Sequence, residues 1–229
     1  MSTNHLSCCS CNRKSEIFRY LTNDELELVD KHRTEVQYKP GEIIVKQGSP
    51  VTHVISFSSG LAKVSIEGNN QKNLILRFLT PTQFIGGPGL YVDRLHHFSV
   101  TALEPSRVCF IDFSVFKQLI RKNCDFADAF IKYISKEGIF DYDRFISLTQ
   151  KHMHGRIADA LIYLDKEVFC SKDNGIRISR NDLAEFTGMS ADSAIRILKQ
   201  MTTDNIVETK GRTIHILDLE SLKRISQIG

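Results

Sequence analysis

The chain has 229 residues, of which 41% are hydrophobic and 25% charged, and a formal net charge of +3 at pH 7. This length is enough for one large domain or two modest ones, and we expect two. The small positive charge allows a polyanionic partner without requiring one. Because no run reaches the roughly 18 to 20 apolar residues of a membrane helix, and the first residues lack a secretory signal, we expect a cytoplasmic protein without a membrane partner.

The first part of the chain is predicted to be rich in β-strands. Between Val36 and Phe113, short apolar or alternating runs are separated by Gly, Pro and Asn. The runs are EIIVKQ, HVISFSS, LAKVSIE, NLILRFL, HFSVTAL and RVCFIDF, and EGNNQ is the predicted hairpin tip. Strands at such regular spacing are typical of a β-sandwich or a small barrel.

A proline-free segment from about Asp125 to His152 is predicted to form one long helix. Its apolar residues are too broadly distributed for a single contact face: Phe126, Phe130, Ile131, Ile134, Ile139, Tyr142, Phe145, Ile146 and Leu148. We expect the helix to pack on its own strand domain and on a second copy of itself. A single buried helix in a monomer is the alternative.

The last part of the chain starts near Gly155. The helical spacing of the apolar residues starts anew there, and Lys151–Gly155 is the predicted linker between the two domains. The spacing of Ile157, Ala160, Leu161, Leu164 and Val168 predicts an amphipathic helix. Further on, NIVETKGRTIHIL predicts a strand, a turn and a second strand, and LESLKRISQI predicts a short final helix.

The segment between these elements, SRNDLAEFTGMSADSAIRILKQM, predicts two helices joined by a tight turn. Ser179 can cap the first helix with Asp182 at its third position, and Gly188 can adopt the positive φ that ends it. Ser190 can then cap a second helix that begins at Ala191. The predicted shared core consists of Leu183, Ala184, Met189, Ala194, Ile197, Leu198 and Met201.

The opposite face of the second helix carries polar and charged side chains suited to DNA: Asp192, Ser193, Arg196 and Lys199. Arg196 can form a bidentate pair with guanine, and Lys210 and Arg212 at the tip of the following hairpin can contact phosphates. The alternative is a plain helical hairpin with a solvated face. The charges of the acidic and basic residues after Lys151 nearly cancel, so any positive electrostatic potential must be confined to part of the surface.

These parts, in this order, resemble the cyclic AMP receptor protein and fumarate-nitrate regulator (Crp/Fnr) family of bacterial transcription factors. The resemblance rests on KPGE, FIGG, GRIADALIYL, the two-helix segment and KGRTI, and it covers nearly the whole chain after Ser15. It implies an α+β fold: a double-stranded β-helix (jelly-roll) domain over 1–124 with an N-terminal helix, a dimerisation helix over 125–152, and a winged helix-turn-helix over 153–229.

The resemblance also implies a homodimer on a palindromic operator, with RNA polymerase as a further partner if the protein is an activator. It implies phosphate contacts from Ser179, Arg180, Ser190 and Lys199, and base contacts from Asp192, Ser193 and Arg196. Ala191 stands where the cyclic AMP receptor protein has a guanine-contacting Arg, so we expect the operator to differ at that base pair.

The segment that binds the nucleotide in cyclic AMP receptors is altered in this chain. Gly87 stands where a ribose-binding Glu belongs, and His96 and His97 replace an Arg and its hydroxyl neighbour. Glu137 stands where nucleotide binders carry Arg, which disfavours a buried phosphate. We therefore expect an effector other than cyclic AMP. Candidate pocket residues are Arg77, Gly86, Gly87, His96, His97, Glu137 and Tyr142.

The cysteines give a weaker hypothesis, because the oxygen-sensing branch of the family holds an iron–sulfur cluster. Cys8, Cys11 and Cys109 are candidate ligands of a cluster or of zinc, but the third N-terminal ligand of that branch is missing. Reduced thiols without metal are the main expectation, with Cys109 a small buried side chain. The identity of any cofactor stays open.

Two other functional classes are alternatives. A regulatory module that contacts protein instead of DNA would lack a use for Arg196 and the basic hairpin tip. An enzyme on the strand domain would need converging His and carboxylate side chains, and the sequence offers no such set, so we expect no catalytic residues. The effector, the operator and the choice between activation and repression are not encoded in any recognisable motif.

Overall fold

The computed structural model describes residues 7–9, 11–68, 72–170 and 175–229. The chain divides into two compact units. The first comprises Met1–Ile66 and Phe78–Gly138, and the second comprises Glu67–Arg77 and Ile139–Gly229. No helix of the described parts is long and apolar enough to cross a membrane.

Two antiparallel four-stranded sheets form the β-roll, with strand orders β1-β8-β3-β6 and β2-β7-β4-β5. The strands are β1 Arg33–Tyr38, β2 Ile43–Val45, β3 His53–Ser59, β4 Ala62–Glu67, β5 Asn73–Leu79, β6 Phe84–Ile85, β7 Ser99–Ala102 and β8 Ser106–Asp112. Each predicted run contains a strand, as the Gly and Pro punctuation indicated. The residues at the predicted EGNNQ tip lie largely outside the described part, but the Gly68 amide donates to the Lys72 carbonyl at 3.0 Å.

Three helices cover the β-roll and close its aromatic core. They are α1 Asn23–Lys31, α2 Phe113–Lys122 and the first half of α3 Cys124–Gln150. Phe116 lies at their centre, with its ring centroid 5.3 Å from that of Phe84 and 5.1 Å from that of Phe130. The hydroxyl of Tyr133 on α3 donates to the Phe84 carbonyl at 2.5 Å, which ties the helix to strand β6.

Helix α3 is long, as predicted, and has two different faces. Phe126, Ala129 and Phe130 are buried in the core of the first unit. The other face exposes apolar side chains: Ile131, Ile134, Ile139, Tyr142, Phe145 and Ile146. Such a face on a long helix is unusual for a monomer, because exposed apolar surface is normally covered by a partner.

The second unit contains the predicted helical hairpin and wing. Its elements are α4 Met153–Tyr163, β9 Ile176–Arg177, α5 Arg180–Thr187, α6 Ala191–Thr203, β10 Val207–Lys210, β11 Thr213–Ile216 and α7 Leu219–Ile228. The three strands form one sheet in the order β10-β11-β9. Helix α4 differs from the prediction, because after Tyr163 the chain widens into a π-helical segment, Leu164–Phe169, that ends at Cys170 with φ 43°.

Candidate DNA-binding site

The turn between α5 and α6 has the cap chemistry that the sequence predicted. Ser179 Oγ accepts from the Asp182 amide at 3.0 Å and donates to Asp182 Oδ2 at 2.5 Å. Gly188 ends α5 with φ +63°, a conformation that favours glycine. Ser190 Oγ then accepts from the Ser193 amide at 3.2 Å and begins α6.

The two helices pack through the predicted small and aliphatic side chains. Fully or almost fully buried are Leu183, Ala184, Ala194, Ile197, Leu198 and Met201. Met189 lies at the turn and is only partly buried, because it follows the residue at which the chain changes direction. Ala184 has a small side chain where the helices approach each other, as the tight turn requires.

The outward face of α6 carries the predicted DNA-contacting residues. Asp192, Arg196 and Lys199 are exposed, and Ser193 is partly buried. Among the described residues, neither Arg196 nor Lys199 forms an ion pair within the chain. Both cations are therefore available to a ligand, and an exposed Arg can donate to guanine in a bidentate pair.

Ile195 also lies on this face and was not predicted as a site residue. Its side chain is 48% exposed and shares the helical stripe of Asp192 and Lys199. An apolar side chain in this position can contact the methyl group of thymine. The sequence signal was an Ile among polar residues on the outer face.

Arg180 connects α5 to the tip of the wing. Its Nη2 donates to the Gly211 carbonyl at 3.2 Å, while Nη1 is buried and has no acceptor among the described residues. Burial lowers the pKa of this guanidinium from its ordinary value. The unsatisfied donor favours an anionic acceptor, such as a phosphate, at this position.

The wing has the predicted pairing, with Val207 opposite Ile216 and Lys210 opposite Thr213. Lys210 and Arg212 are both exposed at its tip. Lys210 is already paired, since its Nζ lies 2.8 Å from Glu208 Oε2. The pair is largely solvated and therefore weak, so a phosphate can compete for the lysine.

Two candidate effector residues of the β-roll, Gly86 and Gly87, lie close to aromatic rings. A Cβ on Gly86 would lie 2.5 Å from the Phe84 ring, and one on Gly87 would lie 2.5 Å from the Phe98 ring. Both glycines thus allow close approach of an aromatic ring. A glutamate at Gly87, as in the nucleotide binders, would require Phe98 to move.

The two neighbouring histidines have separate environments. The His96 ring is half-buried against Phe98, and burial lowers its pKa. His97 Nε2 lies 2.9 Å from Asp93 Oδ2 at the surface. Both histidines lie in the segment before β7, and their rings have different partners, so they do not form a shared ligand site.

The remaining effector candidates lie on β5 and α3. Arg77 on β5 and Glu137 on α3 are partly buried. Tyr142 is 72% exposed, and its role in an effector pocket stays a prediction. Its place on the apolar face of α3 accounts for its exposure.

The predicted cysteine ligands lie near one arginine. Arg33 Nη1 donates to Cys109 Sγ at 3.4 Å, and its Nε donates to Asp30 Oδ1 at 2.8 Å. Cys8 is buried, its amide donates to the same Asp30 oxygen, and burial raises the pKa of its thiol to about 12. Cys109 is partly exposed and hydrogen-bonded, so its interpretation as a small buried hydrophobic side chain is wrong.

These contacts do not form a metal site. Among the described residues, no group of three or more His, Cys, Asp or Glu side chains is arranged to hold a metal ion. All six cysteines are free thiols in the structure. A buried Cys8 whose thiol is protonated is a poor fit to a cluster that needs thiolates.

A β-roll followed by a capped helix-turn-helix and a basic wing defines a DNA-binding transcription regulator. Residues 35–123 match the cyclic nucleotide-binding domain family, and residues 155–225 match the Crp-like helix-turn-helix domain family. The chain belongs to the Crp/Fnr family of transcription regulators.

The chain is similar to curated relatives of this family, and its fold is similar to that of a solved structure. The chain is 24% identical to the transcriptional activator protein anr of Pseudomonas aeruginosa over 79% of this chain and 75% of the relative. It is 26% identical to the cAMP-activated global transcriptional regulator CRP of Salmonella typhimurium, over 84% and 94% of the two chains. The structure of FixK2 from Bradyrhizobium japonicum superposes with a TM-score of 0.76 at 20% identity, covering 84% of this chain and 96% of that one.

Proposed function

We propose that the protein acts as a homodimer that binds a palindromic operator, placing α6 of each copy in successive major grooves. The observation that carries this proposal is the outward face of α6, where Arg196 and Lys199 are exposed beside Asp192. The protein works in the cytoplasm as a regulator and not as an enzyme, and RNA polymerase is a partner if it activates transcription.

The contacts divide into two kinds. Asp192, Ser193 and Arg196 contact base edges and give specificity. The phosphate contacts come from Ser179, Arg180, Ser190, Lys199, Lys210 and Arg212. The hydroxyls of Ser179 and Ser190 also cap their helices, so their role is to fix the helix ends at the backbone.

The dimer forms along α3. Each chain consists of an effector-sensing domain over 1–124, a dimerisation helix over 125–152 and a DNA-binding domain over 153–229. Support comes from the exposed apolar face of the helix, on which Tyr142 and Phe145 are each 72% exposed. The spacing of three, eight and three residues between Ile131, Ile134, Tyr142 and Phe145 places them on one helical stripe, which suits packing against a second copy. Each recognition helix is then placed about one DNA turn from the other.

The signal sensed by the β-roll is a small molecule other than cyclic AMP. The nucleotide-binding pattern is interrupted at Gly87, His96 and His97, and the Phe98 ring lies where a longer side chain at Gly87 would be. A buried phosphate needs a fixed cation, and the half-buried His96 has a lowered pKa that favours its neutral form. Calorimetric titration with cyclic AMP should show no saturable binding, and a Kd of about 10 μM or tighter would contradict this.

The DNA-binding proposal is tested by selection from random duplexes with the full chain. We expect a motif with two inverted half-sites whose centres are about 10 base pairs apart. A motif without inverted symmetry would contradict the dimeric arrangement, and no enrichment at all would contradict sequence-specific binding.

A further inference from the structure

The second unit contains a cleft of about 430 Å³ that the DNA-binding function does not use. It is bounded by the C-terminal half of α3, by α4 and its π-helical extension, and by α5 and α7. This volume lies in the range of pockets that bind small molecules. π-helical segments occur frequently at functional sites, and here Lys166 and Glu167 of that segment form part of the rim.

One cation in the cleft has an unfilled hydrogen-bonding position. The guanidinium of Arg144 lies 3.8 Å from the centroid of the Phe186 ring, and its Nη2 donates to the Phe186 carbonyl. Its Nε is buried and has no acceptor among the described residues. Burial also lowers the pKa of Arg144 to about 10, although the charges of Asp159 and Asp141 oppose this effect. An acceptor that carries a negative charge would offset this desolvation.

The other buried charges of the cleft are already satisfied by one another. Lys151 Nζ donates to Asp159 Oδ1 at 2.9 Å and to the Ser226 carbonyl at 2.6 Å. Ser147 Oγ donates to Asp159 Oδ2 at 2.7 Å. This closed network has no need of a ligand, so Arg144 remains the group that selects one.

Aromatic side chains form the wall beside Arg144. The ring centroids of Phe140 and Tyr163 are 5.2 Å apart, and those of Tyr163 and Phe186 are 5.3 Å apart and stacked. Flat apolar surfaces of this kind favour a planar ring in the ligand. The cleft therefore combines one unsatisfied cationic donor with an aromatic wall.

We propose that this cleft binds a small aromatic monocarboxylate, with its carboxylate on Arg144 Nε and its ring against Phe140 and Tyr163. Phe186 lies on α5, two residues before the Gly188 turn that leads into α6. An occupant that contacts Arg144 and Phe186 would therefore shift the position of the recognition helix. This coupling to DNA rests on the proposed function, whereas the binding site itself does not.

The binding site is tested by isothermal titration calorimetry on the full chain without DNA. Phenylacetate is the probe, phenylacetamide is its uncharged match, and acetate lacks the ring. We expect phenylacetate to saturate with a Kd of about 1 mM or tighter, and both comparison compounds to bind at least about tenfold more weakly. Equal affinity for the acid and the amide, or no saturation by phenylacetate, would overturn the proposal.

Variants then test which residues hold the probe. Arg144→Lys keeps a cation but removes the Nε donor, and Phe140→Leu shortens the aromatic wall; each should weaken phenylacetate about tenfold. Lys136→Ala, an exposed cation on the same helix outside the cleft, should leave the affinity unchanged. If circular dichroism shows that the Arg144→Lys variant does not fold, the affinity of the Phe140→Leu variant tests the binding site. Unchanged affinity in a folded cleft variant would overturn the proposal.

A separate measurement tests the coupling. The affinity for the selected duplex is compared with and without saturating phenylacetate, and a change of at least about threefold is expected. If phenylacetate binds but the DNA affinity stays constant, the coupling is wrong and the binding site stands. If the protein shows no DNA binding at all, the proposed function fails, while the calorimetric result still decides the site.

Discussion

Arg196 is the residue whose substitution should separate base recognition from general DNA affinity. It is exposed on α6, and a bidentate Arg–guanine pair favours guanine over the other bases. Arg196→Ala should cost about 1 to 3 kcal/mol on the selected duplex and relax the preference at one base pair. Fluorescence anisotropy on selected and scrambled duplexes checks this. Equal losses on both duplexes would contradict the assignment.

Lys210 at the wing tip should behave differently, because it contacts phosphate and not bases. Lys210→Ala should weaken all duplexes alike and lower the slope of log affinity against log salt by about one. Lys223→Ala is the matched control, since Lys223 is also a surface lysine paired with a nearby glutamate, Glu220, at 2.6 Å. A change of base preference in Lys210→Ala, or an equal salt effect in the control, would contradict the wing contact.

The buried Cys8 should react more slowly than the exposed cysteines Cys124 and Cys170. Burial raises the pKa of its thiol to about 12, so very little thiolate is present at pH 8, whereas Cys124 and Cys170 are exposed. Iodoacetamide at pH 8 followed by mass spectrometry should label Cys124 and Cys170 before Cys8, and urea should remove the difference. Labelling of Cys8 as fast as Cys124 in the folded protein would contradict its burial.

Helix α3 provides the test at the level of one element. Phe145 is 72% exposed on the apolar face, so Phe145→Asp should leave the stability of one chain nearly unchanged but place a charge in the proposed dimer contact. Sedimentation velocity should show a loss of dimer at concentrations where the unchanged protein is dimeric. Lys136→Ala on another face of the helix is the control. A dimer that survives Phe145→Asp would contradict packing along this face.

The elements differ in how far the sequence predicts them, for physical reasons. The helix-turn-helix was predicted to the residue at Ser179, Gly188 and Ser190, because cap and turn chemistry is local. Helix α2 was missed, since its first residue, Phe113, continues the apolar pattern of strand β8. The widening of α4 into a π-helix after Tyr163 has no comparable local signal.

Among the functional residues, too, local sequence patterns predict some positions and not others. The outward positions of Asp192, Arg196 and Lys199 follow from helical periodicity, and the structure exposes all of them. The contact of Arg180 with Gly211 and the unsatisfied Nε of Arg144 depend on residues distant in the chain. Periodicity does not encode such contacts, so they were found only in the structure.

At the scale of the whole molecule, the proposed DNA recognition requires two copies that present α6 to one duplex. Hydroxyl-radical and guanine-methylation footprinting of the full chain on the selected duplex tests this most directly. We predict two chains per duplex and two protected major-groove segments, centred about 34 Å apart on one side of the DNA, with Arg196→Ala losing protection at one guanine in each. A single protected segment, or protection confined to the minor groove, would contradict the account.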